Sequence, residues 1–334
     1  MRKLLWVLIT LSVLWSGYWF VGAAVVRAGA EQWFADQAAQ GITAEKTSLT
    51  VAGFPNRFDL TVEGLSLADP KTGIGWTAPF AQIFAMTWKP WHLIAALPPS
   101  QTIRLPDQEI GLTSTRLMAS ARARPDMSVP LAEVVVDGSA LQATSSQGWS
   151  LGAASLIFAV RADASRDAAY DVSLDVQGVA PDPEFLATLA PTSDLPPQIA
   201  VIRATLNARL SAPLDRHAGT TKPLLTGLEV QDVLLTWGDL GITAKGLIEP
   251  DADGYAAGRV EIQLTNWQRL IPLMVATGAV KPEVAPTVEN MRKAMALQGG
   301  AEDVLTLPLT LAKGRMTLGP LPLGPAPLML PPTN

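Results

Sequence analysis

The longest unbroken apolar stretch of the chain is its beginning. Residues 4–26, LLWVLITLSVLWSGYWFVGAAVV, carry no charge; as a helix rising about 1.5 Å per residue they reach roughly 35 Å, more than the roughly 30 Å hydrocarbon core of a bilayer. Arg2 and Lys3 flank one end, Arg27 and then Glu31 the other, so the positive-inside rule puts the N-terminus in the cytoplasm. Ala28-Gly29-Ala30 has the small-x-small form of a signal-peptidase site, but the apolar run exceeds the roughly 7–15 residues of a cleaved signal. The expectation is an uncleaved transmembrane signal-anchor over residues 1–27 and a helical stalk over 28–41, stopped by Gly41 and lifting the rest off the membrane. An exported domain over 42–334 follows.

From Ser48 the apolar period becomes two. Phe58, Leu60 and Val62 alternate with Asp59, Thr61 and Glu63, and Gly64 shifts the phase so that Leu65 and Leu67 continue it, the mark of a half-buried strand with a bulge. The alternation returns at Tyr170, Val172, Leu174 and Val176, at Ile202, Ala204, Leu206, Ala208 and Leu210, at Val260, Ile262 and Leu264, and at Leu305, Leu307, Leu309 and Leu311. Shorter candidates include 134–136 and 156–160. Asp137-Gly138, Asp253-Gly254 and Lys313-Gly314 read as turns. One polar face per strand predicts a large curved antiparallel sheet, a mainly β fold with few helices. Those helices are expected at 91–97, at 183–189, and as a C-terminal hairpin with Asn266 capping 267–278 and Pro286 opening a second arm that ends at 299–300. The proline-rich 181–197 separates two candidate halves, 42–180 and 198–334, and the proline-rich C-terminal segment should be extended.

Composition removes several chemistries. Hydrophobic residues make up 48% of the 334 and charged residues only 16%, against about 25% charged in an average soluble domain. The net charge of −5 offers no positive field for a nucleic-acid backbone. With no cysteine there is no disulfide framework, thiolate metal site or cysteine nucleophile. His92 and His217, the two histidines, have no ligand partners at metal spacing, and Asp251 and Asp253 lack the glutamate that a calcium loop carries at its end. No nucleophile elbow, phosphate loop or dinucleotide fingerprint occurs. No catalytic, metal or cofactor residue is therefore expected, and a reading based on carboxylates such as Glu133 and Asp137 is the weakest. Arg116, Arg122 and Arg124 read as strand-edge charges. Trp88 and Trp91, beside Lys89 and Pro90, are candidates for contact with the membrane surface.

GFPNRFDL at 53–60, WKPWHLIAALP at 88–98, IRLPDQEIGL at 103–112, LTNW at 264–267 and the tail at 307–330 resemble an uncharacterised alphaproteobacterial family, each member an N-terminal membrane anchor plus one domain of unknown function. More remotely, a single anchor followed by long runs of alternating strands is similar in pattern to AsmA-type envelope proteins. That resemblance implies a curved sheet with an apolar inner face, and a part in phospholipid or outer-membrane homeostasis. On this basis the expected protein is a single-pass inner-membrane protein with its β-rich domain in the periplasm, non-enzymatic, acting in envelope or lipid homeostasis. Phe58, Leu60, Val62, Ile202, Leu206, Leu210, Val260, Ile262 and Leu264 are the candidate lining of an acyl-chain groove, with phospholipid or envelope proteins as partners. The alternative is that the same residues form a closed core in a ligand-free scaffold.

Overall fold

A computed structural model describes residues 2–189, 195–269 and 303–331. The chain divides into two compact units, Met1–Trp149 and Ser150–Asn334. The division falls ahead of the proline-rich 181–197, whose described part is an excursion inside the second unit.

In the first unit α1 (Arg2–Ala39) is one helix, stopped where Gly41 adopts a φ of +84°. Nine strands follow: β1 (Thr43–Glu45), β2 (Ser48–Ala52), β3 (Arg57–Asp69), β4 (Ile74–Met86), β5 (Lys89–Ala96), β6 (Ser100–Arg104), β7 (Glu109–Thr113), β8 (Arg116–Ala123) and β9 (Leu131–Ser145). All pair antiparallel. β3 takes β1 and β2 on one edge and β4 on the other. β4 is long enough to pair with β6 near its start and β5 near its end, and β9 likewise pairs with β8 and then β7. Gly64 sits at φ +61°, and the phase shift it introduces leaves both Val62 and Leu65 buried.

Residues 28–39 do not stand clear as a stalk. Trp19, Gly22, Val26, Ala30 and Phe34 recur at helical spacing, and this stripe lies along β2 and β3. Trp19 stacks on Phe58, and a side chain at Gly22 would collide with the Phe58 ring. Phe34 is buried among Leu49, Leu60, Val62 and Leu65, with Val26 and Ala30 packed against them. Within 4–26 the uniformly apolar run hides the stripe, since every face of such a helix looks alike in sequence; Ala30 and Phe34 lie beyond that run, among Glu31, Gln32 and Asp36.

Two further expectations are corrected here. Residues 91–97 are not helical: 91–96 fall in β5, which has strand partners on both edges, β4 and β8, and that pairing overrides local propensity. Asp137-Gly138 is not a turn but lies inside β9, where Asp137 accepts two 2.8 Å hydrogen bonds from Arg116 on β8.

The second unit is a meander of β10 (Ser150–Ala162), β11 (Ala169–Pro181), β12 (Ile199–Leu210), β13 (Leu225–Trp237), β14 (Leu240–Pro250), β15 (Ala256–Thr265), β16 (Val304–Ala312), β17 (Arg315–Leu318) and β18 (Leu321–Pro325). Each strand pairs antiparallel with the next. Helix α2 (Pro183–Leu189) occupies the predicted place, and α3 (Ala218–Thr221) is a single turn. Of the expected C-terminal hairpin only its start is described, as a 3-10 turn at Trp267–Arg269. The remainder, 270–299, lies outside the described residues. The Asn266 side-chain amide donates to the Asp239 carbonyl at 2.7 Å, and its main-chain carbonyl accepts from the Arg269 amide at 3.1 Å. The C-terminal segment is extended as expected: Tyr255 bridges Leu328, and the Ala256 amide donates to the Pro327 carbonyl at 2.8 Å.

Candidate functional site

The strand register in the second unit sorts its side chains into two chemically opposite faces. Residues paired across neighbouring strands share a face, and so does every second residue along one strand. One row across seven strands reads Leu156, Val176, Ile202, Leu235, Ile242, Leu264 and Leu305. The next reads Phe158, Leu174, Ala204, Val233, Ala244, Ile262 and Leu307, and a third Val160, Val172, Leu206, Val230, Gly246, Val260 and Leu309. No polar side chain interrupts these three rows. Six strand spacings of about 4.8 Å make the face roughly 29 Å across.

This face is not a fully buried core. Leu305 and Val260 are buried, while the other side chains in the three rows are half-buried. Among the described residues the tight clusters lie at its two ends. At one, Trp237 and Leu240 pack with Leu186, Leu195, Ile199 and Leu235, and the Trp237 indole donates to the Pro196 carbonyl at 2.7 Å. At the other, Ala256, Leu311 and Ala326 pack with Ile248, Leu309, Met316 and Met329. Glycine shapes the middle: a side chain at Gly246 would run into the backbone of Arg259 and Val260 on β15, so β14 and β15 approach there as only glycine allows.

The opposite face is mainly polar and paired, with Ile157 and Leu247 exposed among its polar groups. Asp175 accepts from Arg203 at 2.9 Å and from Gln177 at 3.0 Å; Gln177 and Arg203 hold its carboxyl below the ordinary value. Asn207, buried, donates to Asp171 at 2.8 Å and Asp163 at 3.2 Å, and Asp163 is lowered chiefly by the Ser165 hydroxyl. A shallow open cleft of about 650 Å³ lies over Arg166, Arg209, Glu229 and Glu249. Its arginines pair with its glutamates, Arg166 with Glu229 and Arg209 with Glu249, which leaves no net charge for an anion.

Of the candidate groove residues, Ile202, Leu206, Val260, Ile262 and Leu264 come together in the three rows, and Leu210 extends the face at the end of β12 opposite Leu225. Phe58, Leu60 and Val62 belong to the first unit and are buried beneath α1, where they dock the helix and line nothing. Their face continues past the helix. Ile83 opposite Leu60 and Leu93 opposite Ala85 are 36% and 43% exposed, and the register carries the row through Ala119 and Ala121 to Val136 and Val134. The sequence pattern does not mark this extension, because the apolar Phe84 between Ile83 and Ala85 breaks the alternation that Gln82 begins.

The other singled-out residues have structural roles. His92 on β5 lies 3.4 Å from the Ser120 hydroxyl, and His217 accepts from Arg216 at 3.0 Å. Asp251 accepts the amides of Asp253 and Tyr255, a tight turn. Glu133 and Asp137 pair with Arg122 and Arg116. Among the described residues no group of three His, Asp or Glu is placed to hold a metal. Trp88 and Trp91 sit at and just after the β4–β5 turn, 56% and 36% exposed.

These features define a mainly antiparallel β protein headed by one helix long and apolar enough to cross a membrane, as a signal-anchor or a signal sequence is. Within that class, the chain belongs to the bacterial family described as "uncharacterized protein conserved in bacteria" (DUF2125), whose profile matches residues 19–327. The match begins at Trp19, inside α1. No curated protein and no solved structure matches the chain.

Proposed function

We propose that this protein is a single-pass inner-membrane protein with its β units in the periplasm, and that it binds the acyl chains of phospholipids along the apolar sheet face, without catalysis, in envelope or lipid homeostasis. The observation that carries the reading is the face itself: three uninterrupted apolar rows across seven strands, half-buried along most of its area. A face roughly 29 Å across is about twice the ~15 Å chain length of one leaflet. Each acyl methylene it shields from water contributes about 0.8 kcal/mol, and such a site needs no polar chemistry.

The helix supports anchoring over cleavage. Trp15, Tyr18 and Trp19 donate to the carbonyls of Pro55, Thr87 and Arg57, and Trp19 is only 7% exposed. Cleavage after Ala30 would strip these contacts and bare Phe58. The pattern likeness to AsmA-type proteins points the same way.

Native mass spectrometry and lipid extraction of the full chain test the reading: phospholipid should remain bound after detergent washing. A folded protein that is consistently lipid-free sinks it and favours the scaffold reading, which has its own support in the closed clusters at the two ends of the face.

A further inference from the structure

We infer that one end of the first unit's sheet is seated in the leaflet on its own side of the membrane, with the turns at 53–56, 87–88 and 124–130 at the lipid interface. The inference rests on the spanning anchor in the proposed function and adds to it a depth and an orientation.

Before its first bond to the β unit, at Trp15, α1 offers only residues 2–14, about 20 Å of helix. That falls about 10 Å short of a hydrocarbon core. Crossing it takes about 20 residues, which brings the outer boundary to the neighbourhood of Phe20 to Ala23. Trp15, Tyr18 and Trp19 therefore lie at or inside that boundary, and the groups they bind lie there with them. Those groups are the carbonyls of Pro55, Arg57 and Thr87, at 3.1, 2.7 and 2.7 Å.

The register places the third turn at the same end. Arg57 pairs with Met86, Ala85 with Leu93, and His92 with Arg122, so the β2–β3, β4–β5 and β8–β9 turns project together. They carry exposed apolar side chains that a water-facing turn does not need: Phe54 is 53%, Trp88 56% and Met127 86% exposed. Phe54 also stacks on Phe20 of the helix, which makes the turns continuous with the anchor's own apolar surface.

The polar groups at this end suit an interface. The helix donors satisfy turn carbonyls that would be costly to leave unpaired near hydrocarbon. Asp59 is paired with Arg57, Asp126 accepts from Ser128, and Glu133 is paired with Arg122. Lys89 and Arg124 have no acidic partner among the described residues, and both side chains are long enough to snorkel from the turns toward lipid phosphates.

The absence of native cysteine makes the test direct. Ile9→Cys, Phe54→Cys, Trp88→Cys and Lys71→Cys, the last in the β3–β4 turn at the opposite end of the sheet, are each spin-labelled in the full chain. The protein is reconstituted in vesicles of phosphatidylethanolamine and phosphatidylglycerol, and collision with oxygen is compared with collision with a water-soluble nickel chelate. The oxygen-to-nickel ratio should be severalfold higher at 54 and 88 than at 71. If position 9 is in lipid while either 54 or 88 matches 71, the seating is overturned and the anchor stands. If position 9 is itself aqueous, the anchor and the seating both fall.

Discussion

Replacing Phe34 with alanine tests whether the second half of α1 is part of the β unit. The ring is 7% exposed among Leu49, Leu60, Val62 and Leu65, and the Lys46 ammonium lies 4.3 Å from its centroid. Burying about 150–200 Å² of aromatic surface at ~25 cal/mol per Å² stabilises by about 4–5 kcal/mol, and Phe→Ala in a core typically costs about 3–5 kcal/mol. Losing the cation–π contact adds about 0.5–1 kcal/mol, and the better helix propensity of alanine returns about 0.5 kcal/mol. The net cost to docking is about 3–5 kcal/mol, or roughly 10²–10⁴ in the opening equilibrium. Because Phe34 lies beyond the 4–26 apolar run, water is the proper reference. Hydrogen exchange of the full chain reads the effect locally, without assuming that the two units unfold together. Amides of 28–39 and of β2 should lose protection by that factor. Trp33→Ala, its exposed neighbour at 45%, should cost about 1 kcal/mol or less, mostly through its edge contact with the Phe34 ring. Protection in Phe34→Ala within about threefold of the parent, well below the worked shift, would refute the docking argument.

The remaining expectations concern the second unit and acid stability. Gly246→Val should lower the thermal midpoint of the second unit at a cost of about 1–3 kcal/mol or more, because its side chain meets β15 backbone that cannot step aside; Gly219→Ala, with open space around it, should be near neutral in the same melt. Asp69, Asp126, Asp163, Asp175 and Asp182 are all held below the ordinary aspartate value by hydrogen bonds. Their stabilisation is therefore full above the unfolded value of about 3.9 and is lost as pH falls through the lower folded values. Asp182 bonds the Ser150 hydroxyl and amide and the Glu184 amide at the start of α2. Denaturation of Asp182→Ala between neutral and acid pH should therefore show a shallower acid loss than the parent.

Much of this was legible because a one-sided antiparallel sheet writes its period directly into the chain. The alternations around Leu60, Val172, Leu206 and Ile262 fall within β3, β11, β12 and β15, whereas the bulge expected at Gly64 is absent from the pairing: the β3–β4 register runs through Gly64 unshifted, and the residue is marked only by its φ of +61°. What failed has a common physical cause. Phe58, Leu60 and Val62 carry the same alternation as Leu206 and Ile262, but a helix lies over the first three. Periodicity reports which face is apolar and says nothing about what covers it. Within 4–26 the stripe on α1 was invisible against an apolar background, although Gly22 placed four residues before Val26 was a usable sign of close packing. The residues at 91–97 were misread because Pro90 suggests a helix start, while their pairing on both edges is a non-local fact. The three-turn edge was half legible: Trp88 stood out, but its alignment with Phe54 and Met127 follows only from register.

The decisive question for the apolar face is whether it is finished, and Leu206→Glu answers it. Leu206 lies in the third row, between Val172 and Val230, and is half-buried. In a closed core the new carboxylate would be buried without a partner, at a cost of several kcal/mol and a strongly raised pKa, and the second unit would unfold or lose most of its stability. In an acyl-chain groove the carboxylate can reach water once the chain has left. The cost then reduces to the lost leucine burial, about 1–2 kcal/mol, and the fold survives. What fails in that case is lipid retention, because a bound chain would have to desolvate the carboxylate. The two readings thus predict opposite pairings of stability and lipid content. Thermal unfolding together with the lipid-to-protein ratio of the purified full chain separates them, with Thr243→Glu on the polar face expected to change neither. A variant that stays folded and loses its lipid supports the groove. One that unfolds, from a parent that never held lipid, refutes it.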